Sequence, residues 1–436
     1  MKKLLPLFIS AAIGSLSSSA FADTLAEVYD QAKQNDPTLL RSAAQRDAAF
    51  EAVTSSRSSL LPQINLTANY DINRGEQNSS TNDSNQWGVG VGFTQELYQR
   101  SSWITLDTAE KTARQADSAY AAEQQGLILR VAQAYFEVLR AQDNLEFVRA
   151  EKAAVARQLE QTKQRFEVGL SAITDVHDAQ AQYDGVLADE VLAENTLTNN
   201  YEGLREITGQ EHSNLSVLDT ARFSASKSSE SAAALVEQAQ QKNLSLLASR
   251  ISQDIAKDNI SLASSGHLPS LTLDGSYGLT DQSNSNSDYD ADNLNIGLNL
   301  VVPLYTGGNT TSLTKQAEYN YVAASEDLEA TYRSVVKDVR AFNNNISASI
   351  GALRAYEQSV VSAQSALEAT EAGFDVGTRT IVDVLDSTRR LYDANKNLSD
   401  ARYNYILSVL QLRQAVGTLS EQDIVDVNAG LKVASK

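Results

Sequence analysis

INLTANYDIN, residues 64–73, carries the pattern that decides the fold. Ile64, Leu66, Ala68, Tyr70 and Ile72 fall on one side of an extended chain, and Asn65, Thr67, Asn69, Asp71 and Asn73 on the other. Successive side chains of a strand point to opposite faces, so a period of two signals a strand with one apolar and one polar face. Three more runs do the same. In 271–280, Leu271, Leu273, Tyr277 and Leu279 oppose Thr272, Asp274, Ser276 and Thr280. In 294–302, Leu294, Ile296, Leu298, Leu300 and Val302 oppose the run's asparagines. In 88–97, Val89, Val91, Phe93 and Leu97 oppose Gly88, Gly90, Gly92, Thr94 and Glu96.

Each run is about ten residues, enough to cross a bilayer as a tilted strand and longer than the five or six usual in soluble sandwiches. Tyr70, Trp87, Tyr98, Trp103, Tyr277 and Tyr305 suit an interfacial belt. Polar stretches at 76–86 and 282–292 are expected to be exposed loops. Four strands cannot close a barrel, and an open edge in lipid leaves backbone groups unpaired. Strands from several chains must combine. Two chains give eight strands and a filled barrel, whereas three give twelve and a lumen.

Outward from the strands, the chain repeats itself. Leu61-Pro62 recurs as Leu268-Pro269 and Leu97-Tyr98 as Leu304-Tyr305, both at an offset of 207. Phe166-Glu167-Val168-Gly169 recurs as Phe374-Asp375-Val376-Gly377 at 208. A period this long is a duplicated unit rather than a solenoid of short repeats. Each half reads as a helix (Leu25 to Ser58, or Leu235 to Ser265), two strands and two long helices. No proline interrupts 63–268 or the residues after Pro303, which permits long helices. From Ser102 to Phe166 a helix would reach about 100 Å at about 1.5 Å per residue. Leu127, Val131, Ala134, Val138, Ala141, Leu145 and Val148 alternate steps of four and three, the seam of a coiled coil, and Val335, Val339, Phe342, Ile346, Ser349, Leu353 and Tyr356 repeat it. Gly169 and Gly377 end the outgoing helices.

The expected organisation is a signal peptide at 1–22, a first repeat at 23–228 (strands 63–73 and 87–98, hairpin turn 168–172) and a second at 229–436 (strands 270–280 and 293–303, turn 376–380, then a C-terminal equatorial segment). The signal rests on Lys2 and Lys3, the apolar run from Leu4 to Ile13, and Ala20-Phe21-Ala22 as the cleavage site. No later stretch is apolar and long enough for a spanning helix. Without Lys2 and Lys3 the chain carries 34 basic and 55 acidic residues, a net charge of −21, which argues against nucleic acid as a partner. There is no cysteine, hence no disulfide or thiol chemistry. Asp288, Asp290 and Asp292 resemble a calcium loop, but Asn293 and Asn299 stand where its glycine and bidentate glutamate belong. His177, His212 and His267 are scattered, so neither a metal site nor a catalytic triad is expected.

The paired V-G-L and V-G-T turns, the L-P strand openings, the duplication and the segment GTRTIVDVLD at 377–386 together resemble the TolC-type outer-membrane efflux proteins. The resemblance covers the whole mature chain. It implies a homotrimer in the outer membrane of a Gram-negative bacterium: a 12-stranded β-barrel, four strands per chain, continued into the periplasm by a 12-helix α-barrel of coiled-coil hairpins. It implies no enzyme and no cofactor, but a passive, gated exit duct for efflux pumps and type I secretion. Its partners would be a periplasmic adaptor and an inner-membrane transporter of the RND, ABC or MFS type. Asp383 and Asp386 match the family's two aspartate rings, whose negative field favours cations, multivalent ones above all. Arg379 with Thr174 and Asp175, and Gln158 with Glu371, match its closed-state latches. Gly169, Leu170, Gly377 and Thr378 sit where adaptors dock. Phe374 stands where the family often has a tyrosine, so the latch is either one charged hydrogen bond weaker, about 1.5–3 kcal/mol, or another group compensates. The rival reading is a surface-anchored adhesive coiled-coil trimer without a conducting bore.

Overall fold

The computed structural model describes residues 22–77, 80–81, 83–227, 230–284 and 288–432. Nearly all of the expected signal peptide and the boundary at 228–229 lie outside them. In chain order the elements are α1 (Leu25–Asn35), α2 (Pro37–Ser58), β1 (Gln63–Asn73), β2 (Glu76–Gln77), β3 (Ser80–Thr81), β4 (Ser84–Gln99), α3 (Arg100–Glu167), α4 (Ile173–Thr208) and β5 (Val217–Leu218). They continue with α5 (Ala232–Lys242), α6 (Leu244–Ser264), β6 (Ser270–Asn284), β7 (Asp288–Val301), α7 (Asn309–Asp375), α8 (Ile381–Val416), α9 (Glu421–Asn428) and β8 (Leu431–Lys432). The order of two helices, two long strands and two long helices occurs twice.

Two expectations need correction. The helices before the strands are each broken in two. Asp36 caps α2, its carboxylate accepting from the Leu39 amide at 2.8 Å with Pro37 behind it, and Asn243 caps α6 by accepting from the Leu246 amide at 2.9 Å. A short polar side chain that takes an amide hydrogen bond starts a new helix, and a proline suits only its first turn. The polar stretches are also not plain loops. β4 begins at Ser84, β6 runs to Asn284 and β7 starts at Asp288, while Glu76 and Gln77 pair with Thr81 and Ser80. Polar side chains do not prevent a ladder when the backbone groups find partners, as in Asp281↔Asp290 and Gln282↔Tyr289. The innermost residues of both stretches, 78–79, 82 and 285–287, lie outside the described residues.

The long strands form one antiparallel sheet in the order β1-β4-β6-β7. Register carries the alternation across it. Leu66, Val91, Tyr277 and Leu294 form one row, and Asn65, Gly92, Ser276 and Asn295 the adjacent row on the opposite face. On the apolar face Ile64 pairs with Phe93 and Phe93 with Gly275. A Cβ at Gly275 would run into the Phe93 ring, so only glycine lets the aromatic lie flat across the strand. The apolar face is bare: Ile64, Leu66, Leu294 and Ile296 are each 70% exposed or more. The outer edges of β1 and β7 pair with no other strand among the described residues.

Gln99 hands β4 directly to the 68-residue α3, about 100 Å of helix. α3 packs against α2, α4, α6 and α8, and α7 against α6 and α8. The coiled-coil seam is buried where expected: Leu127, Val131 and Val138 on α3, and Val339, Ile346 and Leu353 on α7, each lie at 4% exposure or less. The main core surrounds it midway along the helices, where Tyr135, Phe136, Tyr403 and Leu410 meet α1, β5 and α9. Tyr135 Oη donates to the carbonyls of Ser216 at 2.7 Å and Asp23 at 3.1 Å, tying the first described residues to this belt. A separate small core of Val155, Leu159, Ala179, Val186, Ile381, Val384 and Leu385 sits toward the hairpin tips. α4 is half empty-handed: Leu187, Val191 and Leu192 are exposed, whereas the equivalent helix α8 buries Leu391, Leu398, Tyr405 and Leu412.

Candidate functional site: the hairpin tips

Both hairpins turn in the same way. After α3, the amide of Gly169 donates to Phe166 O at 2.9 Å and that of Leu170 to Arg165 O at 2.8 Å. After α7, Gly377 donates to Phe374 O at 3.1 Å and Thr378 to Gly373 O at 2.8 Å. These paired bonds close a helix through one left-handed residue. Gly169 and Gly377 occupy it, at φ 76 and 81 degrees. Val168, Leu170 and Val376 then project into solvent at 69, 75 and 76% exposure, a small apolar crown on the tips.

The returning helices start with different chemistry at matching positions. Thr380 caps α8: its hydroxyl accepts from the Asp383 amide at 3.2 Å, while Asp383 Oδ2 accepts from the Thr380 amide at 2.9 Å and hydroxyl at 3.0 Å. These bonds favour the charged form and hold the Asp383 carboxyl below the usual range, helped by Arg379 nearby. At the start of α4, Ala172 replaces the threonine. Asp175 accepts from its amide at 3.1 Å and from the Ser171 hydroxyl at 2.6 Å. Asp383 and Asp386 flank the buried Val384 and Leu385, whose burial against α3 and α4 sets which face of α8 the carboxylates occupy.

Asp386 is not a bare carboxylate. Its Oδ1 lies 3.1 Å from Arg389 Nη2 and its Oδ2 lies 2.7 Å from Arg390 Nη2. The sequence reading missed this, although the signal was available: three and four residues are the spacings at which helix side chains meet.

The latch residues divide into those engaged within the chain and those left open. Arg379 lays its stem against the other arm of its own turn, and a Cβ at Gly373 would come within 2.7 Å of its Cγ. Its guanidinium makes no hydrogen bond or ion pair to Thr174, Asp175 or any other described residue of this chain. Gln158 Nε2 donates to Thr388 at 2.9 Å, while its Oε1 is buried without a partner. Gln158 and Glu371 are not brought together within one chain.

Phe374 is covered. The Arg165 guanidinium, from the end of α3, lies 4.4 Å from the Phe374 ring centroid. It donates to the carbonyls of Phe374 at 3.3 Å and Asp375 at 3.4 Å, and sits 3.7 Å from the Asp375 carboxylate. The group that covers the ring is thus an arginine one residue before the other half's phenylalanine. The signal lay in a break of the repeat: Arg165 corresponds to Gly373, so one half supplies the cation and the other the space.

The sequence profile of the outer membrane efflux protein family matches residues 28–210 and again 235–418, and the chain belongs to that family. It is 78% identical to outer membrane protein TolC of Vibrio cholerae serotype O1, over all of both chains. It is 28% identical to the alkaline protease secretion protein AprF of Pseudomonas aeruginosa, over 97% of this chain and 90% of that one. Its fold matches the crystal structure of the Campylobacter jejuni CmeC outer membrane channel with a TM-score of 0.79 at 16% identity, covering 94% of this chain and 90% of that one. The chain is an outer-membrane channel of the efflux and secretion type, in the outer membrane of a Gram-negative bacterium.

Proposed function

We propose that three copies close into one duct: a 12-stranded barrel with its asparagine- and glycine-rich face inward, continued by twelve helices around a water-filled bore. One observation carries this reading. The sheet has two open edges, an apolar face left bare and a polar face opposite, and its strands run straight into helices about 100 Å long. Open edges are untenable in lipid, so the sheet must be completed by copies of itself. The exposed leucines of α4 supply an apolar face for the neighbouring protomer.

The duct is passive, and cargo moves through it by the work of an inner-membrane transporter joined by a periplasmic adaptor. The crown of Val168, Leu170 and Val376, with Gly169, Gly377 and Thr378, is the adaptor's landing surface. The tips form the gate. Arg379, whose guanidinium makes no hydrogen bond or ion pair among the described residues of its own chain, reaches Thr174 and Asp175 of the neighbour, Gln158 and Glu371 form the second latch, and Arg165 clamps the two hairpins of each protomer together over Phe374. Asp383 and Asp386 line the narrowest part. An adaptor opens the gate by binding the separated hairpins better than the closed ones, as any population shift requires.

Purified protein in a planar bilayer tests the reading. A threefold duct conducts in single, uniform steps, and Arg379→Ser enlarges the step. A protein that inserts as a trimer but never conducts, open-gate variant included, is the adhesive coiled coil instead.

A further inference from the structure

We propose that Arg389 and Arg390 determine which ions pass the entrance, by turning the Asp386 ring from a negative collar into a positive one. The inference rests on the reading that the tip of α8 lines the bore. Both oxygens of Asp386 are taken by guanidinium groups, whereas among the described residues Asp383 has only the neutral donors of Thr380 within hydrogen-bond distance. Asp386, Arg389 and Arg390 together carry one negative and two positive charges per chain.

The duplicated half provides an internal control. Asp175 and Asp178 stand at the positions of Asp383 and Asp386, but Ala181 and Gln182 stand where the arginines are. Asp178 has no ion-pair partner among the described residues. The arginines therefore accompany the carboxylate on the hairpin that faces the bore, not the helix start in general.

Repeated threefold, Asp383 contributes a formal −3 and the cluster behind it a formal +3. Arg389 and Arg390 both reach back to the Asp386 carboxylate, so their charge sits about three residues, or about 4.5 Å, from the Asp383 ring along the helix. That lies inside the screening length of about 8 Å at physiological salt, so the negative and positive rings largely offset each other. A permeating ion meets an entrance collar close to neutral. Rings of charged side chains set selectivity in narrow pores. This entrance is therefore weakly selective and admits anionic organic cargo, although the chain as a whole is strongly acidic.

The measurement is the reversal potential of the full-length trimer in a bilayer under a tenfold KCl gradient, with block by a trivalent cation measured in parallel. The R389Q/R390Q double variant is expected to raise the potassium-to-chloride permeability ratio at least threefold and to tighten trivalent block about tenfold. R389K/R390K, which keeps the charge, should behave as the parent. An unchanged reversal potential in R389Q/R390Q overturns the proposal. Equal shifts in both variants also overturn it, because they trace to lost packing rather than lost charge. Trivalent block that survives D383A/D386A would instead overturn the placement of the aspartates in the bore, a separate failure.

Discussion

Replacing Arg165 with methionine keeps the stem and removes the charge that lies over Phe374. Three contributions disappear in each protomer. The cation–π contact at 4.4 Å contributes about 0.5–1 kcal/mol at an exposed site and about 2 when desolvated, and Arg165 at 26% side-chain exposure lies between. A cation at the carbonyl end of α7 adds about 0.3–1 kcal/mol, with its hydrogen bonds long at 3.3 and 3.4 Å. The pair with Asp375, whose carboxylate is 65% exposed, adds at most about 1 kcal/mol. A loss of about 1.5 kcal/mol per protomer is a reasonable central value and shifts the closed-to-open ratio about tenfold. If the three protomers open together the shift approaches a thousandfold. Open probability in single-channel recordings reports it directly. Phe374→Leu should give a smaller rise, having lost only the ring, and Phe374→Tyr should stay closed. If Arg165→Met leaves open probability at the parent value while Arg379→Ser raises it, no clamp operates between α3 and α7 and this reasoning is wrong.

Arg379→Ser should raise single-channel conductance on the proposed latch, in which a guanidinium without a hydrogen bond or ion pair among the described residues of its own chain serves the neighbour; unchanged conductance would place the inter-protomer latch elsewhere. Asp143 sits between α3 and α8, accepting from Ser399 and from Tyr403 Oη at 2.8 Å. Burial raises its carboxyl above the ordinary value, outweighing the lowering effect of those donors. The folded protein thus binds this proton more tightly than the unfolded chain does, and stability from this group falls as pH rises through the folded pKa. Asp143→Asn should flatten the dependence of the thermal midpoint on pH above about 4 without lowering the midpoint at pH 7. Asp143→Ala should lower it by leaving two buried hydroxyls without an acceptor, about 1–3 kcal/mol each. Gly417→Ala should destabilise more than Gly209→Ala in thermal unfolding. Both glycines have positive φ, costing about 1–2 kcal/mol for any side chain, but only at Gly417 would a Cβ overlap a carbonyl, that of Lys242.

Much of the site was legible because it rests on short spacings. Gly169 and Gly377, and the three-residue spacing of Asp383 and Asp386, are set within one turn of chain. Arg165 over Phe374 was not, because its two halves lie 209 residues apart and no local pattern joins them. The same holds for Asp143 with Ser399 and Tyr403. The sequence reading ran straight through the breaks at Asp36 and Asn243, although a cap residue marks each.

Strand parity, the two long outgoing helices and the glycine turns were legible in the sequence, because parity, proline-free runs and left-handed glycines act through neighbours along the chain. β1 has the bounds 63–73 expected of it, and α3 and α7 end within a residue of their glycine turns. The burial of each hairpin, and the meeting of Arg165 with the Phe374 ring at the tips, come from contacts between distant segments. The halves share an architecture but differ at Arg165/Gly373, Ala172/Thr380 and Ala181-Gln182/Arg389-Arg390, and what those differences touch is set by packing between segments far apart in the chain. α8 packs between α3 and α7, and the α4 counterpart of its Leu412, Leu204, is buried as well; the exposed Leu187, Val191 and Leu192 of α4 stand instead at the positions of Asn395, Ser399 and Asp400.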